Sequence, residues 1–361
     1  MRLPHSSSST PGRQSDPQSQ SIKQLDGLLA EAGLVRSPRR GKLASRVHAD
    51  RLDRAQSEEL TRNAPAPAVA ANGVQWLPVP AWRKYPWLWS GFSTRLGGLS
   101  RVYAADAEPG ELNLGFTAED SREAVAANRR LLAEAITGSA STPLVPLRQF
   151  HSSLAVRVTA ADARRTTPHK ADGVITDEPG LLLAVQTADC VPVLVADRKR
   201  RVVGAFHAGW RGTVKRIVET GVGRMRLEFG SRPEDLTATI GPGIGQCCYA
   251  VGEEVLSEFE SQFLYARELF RDVYDADPVR MKYPMLFLTQ RAPGHSPIGP
   301  SLHVDLIEAN RRQLLACGLA ARAIQAVGGC TQCQPELFYS HRGSRGHAGR
   351  MMAVIGVREA R

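Results

Sequence analysis

Aromatic residues make up only 6% of this 361-residue chain, too few for the row of stacking platforms on which proteins hold single-stranded nucleic acid. Apolar runs are short, and none approaches the roughly 20 residues needed to cross a bilayer. The N-terminus is polar and lacks the apolar stretch of a secretory signal. Its Ser and Arg content would suit an organellar transit peptide, but Asp16, Asp26 and Glu31 argue against one. Six cysteines (Cys190, Cys247, Cys248, Cys317, Cys330 and Cys333) do not make a disulfide scaffold in a chain of this length. The expectation is a soluble cytoplasmic protein with reduced thiols and no membrane partner. No internal repeat is visible. There is no Walker loop, and the glycines of Ile240-Gly-Pro-Gly-Ile-Gly245 have the wrong spacing for a dinucleotide fingerprint.

Basic residues are in excess, with a formal net charge of +10. Residues 1–75 hold 11 Lys/Arg against 7 Asp/Glu, so part of the excess belongs to the N-terminal segment. The remainder is spread along the chain in short runs such as Arg198-Lys199-Arg200-Arg201, which read as solvated turns. No nucleic-acid partner is expected. A small anionic substrate such as phosphate suits a mildly basic enzyme.

The composition divides the chain. Residues 1–75 are rich in Ser, Pro, Gln, Arg and Ala and carry too little apolar surface to offset ordering entropy. They are expected to form a disordered extension, relieved by a short helix around residues 22–34. Residues 76–361 have the pattern of a folded domain. Asp120 and Glu123 read as a capping box for a helix closed by Gly138. Apolar runs at 181–185, 191–196 and 202–206 have strand length. Val214, Ile217, Val218, Val222 and Met225 mark one long helical face. Further strands are expected at 237–240, 323–327 and 352–357, with helices around Val255–Phe259 and after Asp305. Residues 270–300, with five prolines, read as a loop insertion. Strands and helices mix without a strict βαβ repeat, so the fold class is α/β (α+β mixed): a single domain with a mixed β-sheet flanked by helices.

Reactive side chains stand where the apolar strands end. His151 lies in Arg-Gln-Phe-His-Ser-Ser, Cys190 follows Asp189 between two strand-like runs, and His207 closes a strand before the turn His-Ala-Gly-Trp-Arg-Gly. Two imidazoles and a thiolate suit zinc and would leave its fourth position open. Their sequence separation neither requires nor forbids convergence, and a Cys190 packed as a small hydrophobe with structurally bonded histidines is the alternative. Gly209 and Gly212 permit tight or left-handed backbone before a helix start, and with Arg211 they form a candidate cradle for an anion. Cys330-Thr-Gln-Cys333 has the spacing of half a zinc site. No second such pair exists, and the adjacent Cys247 and Cys248 suit chelation poorly, so a second metal is not expected.

Together these segments resemble the YfiH-like, or laccase-domain (polyphenol oxidase), family of purine nucleoside phosphorylases. The resemblance runs from about Phe92 to the C-terminus. It is carried by FSTRLGGLS, LNLG, QFH, ADGVIT, ADCVPVLVAD, HAGWRG, IGPGIG, DLIEAN and GGCT. It implies a catalytic zinc held by His151, Cys190 and His207, with Arg95 and Arg211 at the phosphate. It further implies zinc-dependent phosphorolysis of adenosine, inosine and S-methyl-5′-thioadenosine to free base and a ribose 1-phosphate, with adenosine deamination as a side activity, by a monomer or homodimer. Two alternatives accompany it: a copper-dependent, laccase-like polyphenol oxidase, and a Cys–His hydrolase editing cell-wall precursors. Nine histidines without an H-x-H pair do not suit a multicopper cluster. The H-x-E and P-C-x-x-C pattern of nucleobase deaminases is also missing, which leaves Asp189 as the candidate proton carrier. The chain departs from the family pattern at Phe150 and Ser152, which flank His151, and at Tyr339-Ser340-His341-Arg342.

Overall fold

The computed structural model describes residues 66–103, 110–273 and 300–359. Of the extension expected over residues 1–75, the part up to residue 65, with its short helix, and nearly all of the proline-rich insertion lie outside the described residues; residues 66–75 correct that expectation, because Ala68 and Val69 pair with Trp76 and Gln75 as an edge strand. Where the insertion's flanks are described, Phe270–Val273 and Ser301–Val304 are not loop. They pair antiparallel and, with Ala250–Val251, make a three-stranded sheet.

The architecture is mixed α/β, built on two six-stranded sheets where one was expected. In the first the order is Ala68–Val69, Gln75–Leu77, Leu88–Ser93, Met351–Val357, Leu182–Thr187 and Leu144–Pro146. In the second it is Ile324–Ala326, Leu236–Ile240, Val191–Asp197, Val203–Ala208, Gly173–Thr176 and Ala155–Arg157. Most pairings are antiparallel, and the edge strands Leu144–Pro146, Ile324–Ala326 and Ala155–Arg157 pair parallel. The central strands are apolar on both faces, and their period of two sorts each into two cores. Leu183 and Val185 meet Leu194, Ala196, Val203 and Ala205 in the seam between the sheets. The alternate residues Leu182 and Ala184 face helix α1 (Arg122–Thr137) through Leu132 and Ala133. Val193 and Val195 face the opposite way, toward helices α3 (Ile217–Phe229) and α5 (Leu306–Ala316). Four layers result, and they explain why antiparallel strands here read as near-continuous apolar runs.

Helix boundaries follow the expected signals with two corrections. Ser121, not Asp120, caps α1, accepting a hydrogen bond from the Ala124 amide at 3.0 Å. Asp120 instead binds Ser100 Oγ and Asn113 Nδ2. The single long helix expected over Val214–Met225 is two, α2 (Trp210–Val214) and α3, because Arg216 adopts φ +61° between them. Helix α4 covers Glu253–Gln262, and Asp305 caps α5 by accepting from the Glu308 amide at 2.9 Å.

Candidate metal centre

Cys190 stands where the chain leaves the first sheet at Thr187 and enters the second at Val191. So sharp a crossing needs an unusual backbone, and Asp189 supplies it at φ +92°. This conformation is uncommon for a non-glycine residue and persists only when its surroundings enforce it. They do so from three sides. The Asp189 carboxylate accepts from Thr331 Oγ1 at 2.7 Å and from the Arg342 amide at 2.6 Å, and its carbonyl accepts from the Ile244 amide at 2.8 Å. Both carboxylate oxygens are thus engaged in holding the corner, which makes Asp189 a positioning residue.

His151 sits in the loop before Ala155–Arg157, also left-handed at φ +61°. His207 lies in the central strand Val203–Ala208, where it is buried. A single residue, Asp172, ties both down. Its side chain is 0% exposed, and a carboxylate removed from water must be fully hydrogen-bonded to persist as an anion. It accepts from the amides of Phe150, His151 and Ser152, from Ser152 Oγ at 2.7 Å, and from His207 Nδ1 at 2.9 Å. Burial alone would raise its pKa, but the hydrogen bonds and the His207 charge hold it well below the usual carboxylate range. In the sequence Asp172 stands out only as a letter of ADGVIT, with no role of its own. The available signal was an acidic residue entering an otherwise apolar strand.

These supports bring the three residues together. The Nε2 of His151 lies 3.8 Å from Cys190 Sγ, the two imidazole rings are 5.0 Å apart, and one ligand atom from each residue falls within 4.8 Å of the others. Because Nδ1 of His207 is bound to Asp172, its Nε2 is the nitrogen turned to the site. Gly209 completes the fit: a Cβ there would stand 2.7 Å from Cys190 Sγ and 3.0 Å from His151 Cδ2. Of the tight or left-handed backbone that Gly209 and Gly212 permit, the left-handed form is not used, since neither has positive φ. The glycines are needed for close approach.

Electrostatics prepare the donors. Burial would raise the Cys190 thiol, but the neighbouring imidazoles, His207 foremost, bring it down to about 6. Burial would lower His207, but the Cys190 thiolate and Asp172 push it up to about 9. Zinc takes thiolate sulfur and imidazole nitrogen at about 2.0–2.3 Å, which sets ligand atoms about 3.3–3.8 Å apart around one ion. The donor types, their spacing and the carboxylate behind one imidazole all fit such an ion.

The expected phosphate cations occupy different surroundings. Arg211 is exposed and stacks on Trp210 at 4.2 Å. With Arg342, whose guanidinium lies over the Tyr249 ring, it opposes the rise of the Tyr249 phenol, which burial and the Cys190 charge push up to about 12. Arg95 is tied inward, to Glu111 at 2.5 Å and to the Pro335 carbonyl at 2.7 Å, with its guanidinium over Tyr339. A cavity of about 560 Å³, lined by Phe116, Arg129, Arg148, His169 and Gln186 among others, includes none of the three candidate ligands. Among the described residues no helix is long and apolar enough to cross a membrane.

A family model described as "Multi-copper polyphenol oxidoreductase laccase" matches residues 89–358. The purine nucleoside phosphorylase YlmD of Bacillus subtilis is 34% identical over 278 residues, covering 75% of this chain and 89% of that protein. A protein named adenosine deaminase RL5, from an unknown prokaryotic organism, is 32% identical and covers 59% of this chain and 74% of its own. The crystal structure of the Bacillus licheniformis hypothetical protein YfiH superposes with a TM-score of 0.65 at 30% identity, covering 81% of this chain and 99% of that one.

Proposed function

The chain belongs to the YfiH-like, laccase-domain family described as multi-copper polyphenol oxidoreductase laccase, and starting from that membership we propose that it is a zinc-dependent purine nucleoside phosphorylase. Its substrates in this reading are adenosine, inosine and S-methyl-5′-thioadenosine. The observation that carries the reading is the convergence of His151, Cys190 and His207, backed by Asp172, in a chain whose relatives include one named purine nucleoside phosphorylase. His151 Nε2, Cys190 Sγ and His207 Nε2 would hold the zinc. Such an ion would supply Lewis acidity to the site.

The remaining work falls to the chain's own side chains. Phosphorolysis joins a phosphate oxygen to C1′ of the ribose as the glycosidic C–N bond breaks and the electron pair leaves with the purine, which takes up a proton. Arg211 and Arg342 offset the charge of the phosphate at the rim, because a guanidinium suits paired anionic oxygens. Arg95 acts at one remove. Its bond to the Pro335 carbonyl and its contact with Tyr339 steady the segment leading to His341 and Arg342. Asp172 keeps the His207 Nδ1 proton in place, so that Nε2 stays a free donor. Adenosine deamination is the second activity of this reading, supported by the relative bearing that name.

The multi-copper description draws less support from the site. Among the described residues, one group of three or more possible ligands contains histidine, and it offers two imidazoles. The test is the purified full chain, zinc-loaded, with inosine and with or without phosphate. Hypoxanthine and ribose 1-phosphate should form only with phosphate, and Cys190→Ser should abolish both. Absence of phosphate-dependent release from zinc-loaded wild type would refute the assignment. Activity that follows copper instead of zinc after metal stripping would favour the oxidase.

A further inference from the structure

The expectation that Cys247 and Cys248 suit chelation poorly does not survive the fold. The strands Leu236–Ile240 and Ile324–Ala326 run parallel and side by side, so the loops that follow them emerge at the same sheet end. The first loop carries Cys247 and Cys248, the second Cys330 and Cys333. A bridge between Gly243 and Cys330, with the Thr331 amide donating to the Gly243 carbonyl at 3.0 Å, locks one loop against the other. Both the Cys248 and Tyr249 amides donate to the Gly245 carbonyl at 3.0 Å, folding the first loop into a turn. Gly245 itself leaves room, since a Cβ there would lie 3.1 Å from both Cys247 Sγ and Cys330 Cβ.

The result is four sulfur atoms within 4.8 Å of one another. Cys333 Sγ is 3.6 Å from Cys247 Sγ and 3.4 Å from Cys248 Sγ. A disulfide needs sulfurs about 2.05 Å apart, and all four cysteines are free. A polynuclear iron–sulfur cluster places several metals and sulfides among its cysteine sulfurs, which stand correspondingly farther apart. A single tetrahedral ion with bonds of about 2.3 Å sets its four sulfurs about 3.8 Å from each other, close to the separations here.

We propose that Cys247, Cys248, Cys330 and Cys333 bind a second zinc ion as a closed, four-thiolate structural site. With every position filled by protein it has no place for substrate, so its work is mechanical. It ties together two loops that each touch the Cys190 corner. Thr331, next to Cys330, donates to the Asp189 carboxylate, and Ile244, in the first loop, donates its amide to the Asp189 carbonyl at 2.8 Å, while Tyr249, next to Cys248, lies under Arg342, whose own amide donates to Asp189. Removing this zinc would release both loops and with them the grip on Asp189.

The proposal rests on residues separate from the first centre, and the same measurement distinguishes the two. The full-length chain and its Cys190→Ser and Cys333→Ser variants are purified under reducing conditions and analysed for zinc, iron and copper. About two zinc per chain are expected in wild type and about one in each variant. So that the outcome does not depend on the folding of Cys333→Ser, Cys190→Ser is also stripped and reloaded with cobalt(II). It should show the intense sulfur-to-cobalt charge transfer and visible bands of tetrahedral thiolate coordination. Reaction of the four thiols with a disulfide reagent should be slow until a chelator is added. Zinc-free Cys190→Ser without the cobalt spectrum overturns the proposal, as does iron in place of zinc or an intact mass showing disulfides among these cysteines. If Cys190→Ser retains as much zinc as wild type, the first centre is the one refuted.

Discussion

Replacing Asp172 by asparagine keeps the shape of the side chain and removes its charge, and the consequences follow from its five donors. In the favourable orientation the asparagine oxygen stays toward His151 and His207, and the new NH2 faces Ser152. The Ser152 hydroxyl rotates to accept, but the Ser152 amide, 2.7 Å from the replaced oxygen, cannot. One buried donor is left unsatisfied, at about 1–3 kcal/mol, and the bonds that remain lose their charge assistance, at about 1 kcal/mol each. With three such bonds left, from the amides of Phe150 and His151 and from His207 Nδ1, the metal-free chain should therefore be less stable by about 4–6 kcal/mol. The His207 ring loses the anion behind Nδ1 and becomes a weaker donor at Nε2, so zinc affinity should fall about 10–100-fold. Urea unfolding of the metal-free protein reads the first effect, and zinc competition against a chromophoric chelator at neutral pH reads the second. If Asp172→Asn unfolds at the wild-type midpoint and holds zinc with unchanged affinity, Asp172 is not the support described above.

Other consequences are as definite. Gly209→Ala places a methyl against Cys190 Sγ and His151, and should cost about tenfold or more in zinc affinity and about 1–3 kcal/mol of stability; equal affinity would show that the site has room to spare. In the metal-free chain Cys190 is a thiolate above about 6 and His207 an imidazolium below about 9. Zinc binding between those limits must displace one proton, from His207 Nε2. Its apparent affinity should then rise about tenfold per pH unit across that window and level off above it. Calorimetry in buffers of different ionisation enthalpy measures the proton, and finding none would refute the ion-pair description. In the seam between the sheets Leu183→Ala should cost about 2–5 kcal/mol, whereas the fully exposed Leu264→Ala should stay within about 0.5 kcal/mol. Comparable losses at the two positions in urea unfolding would contradict the layer order.

Much of the fold was legible before any coordinate. The strand-length runs around 181–206 became paired strands within a residue or two of their expected ends, because buried strands must be apolar wherever they lie. The division into two stacked sheets was not legible. A run that is apolar at every position looks the same whether its outer face meets a helix or a second sheet. The helix break at Arg216 was hidden for a related reason, since the apolar spacing continues across it and only a left-handed backbone interrupts it.

The chemistry divides along the same line. Local pattern was enough to pick out His151, Cys190 and His207, because a reactive side chain at the end of an apolar strand is out of place in a core and visible as such. It was enough to predict donor types that suit zinc, since ligand preference belongs to the side chain itself. Only the tertiary structure placed Asp172 behind His207 and under three amides of the His151 loop, and only it gathered Cys247 and Cys248 with Cys330 and Cys333 across more than eighty residues. Hydrogen bonds and coordination act over a few ångströms, whereas the partners stand far apart along the chain. Which distant loops share one end of a sheet is settled by strand order, and strand order is a property of the packed molecule.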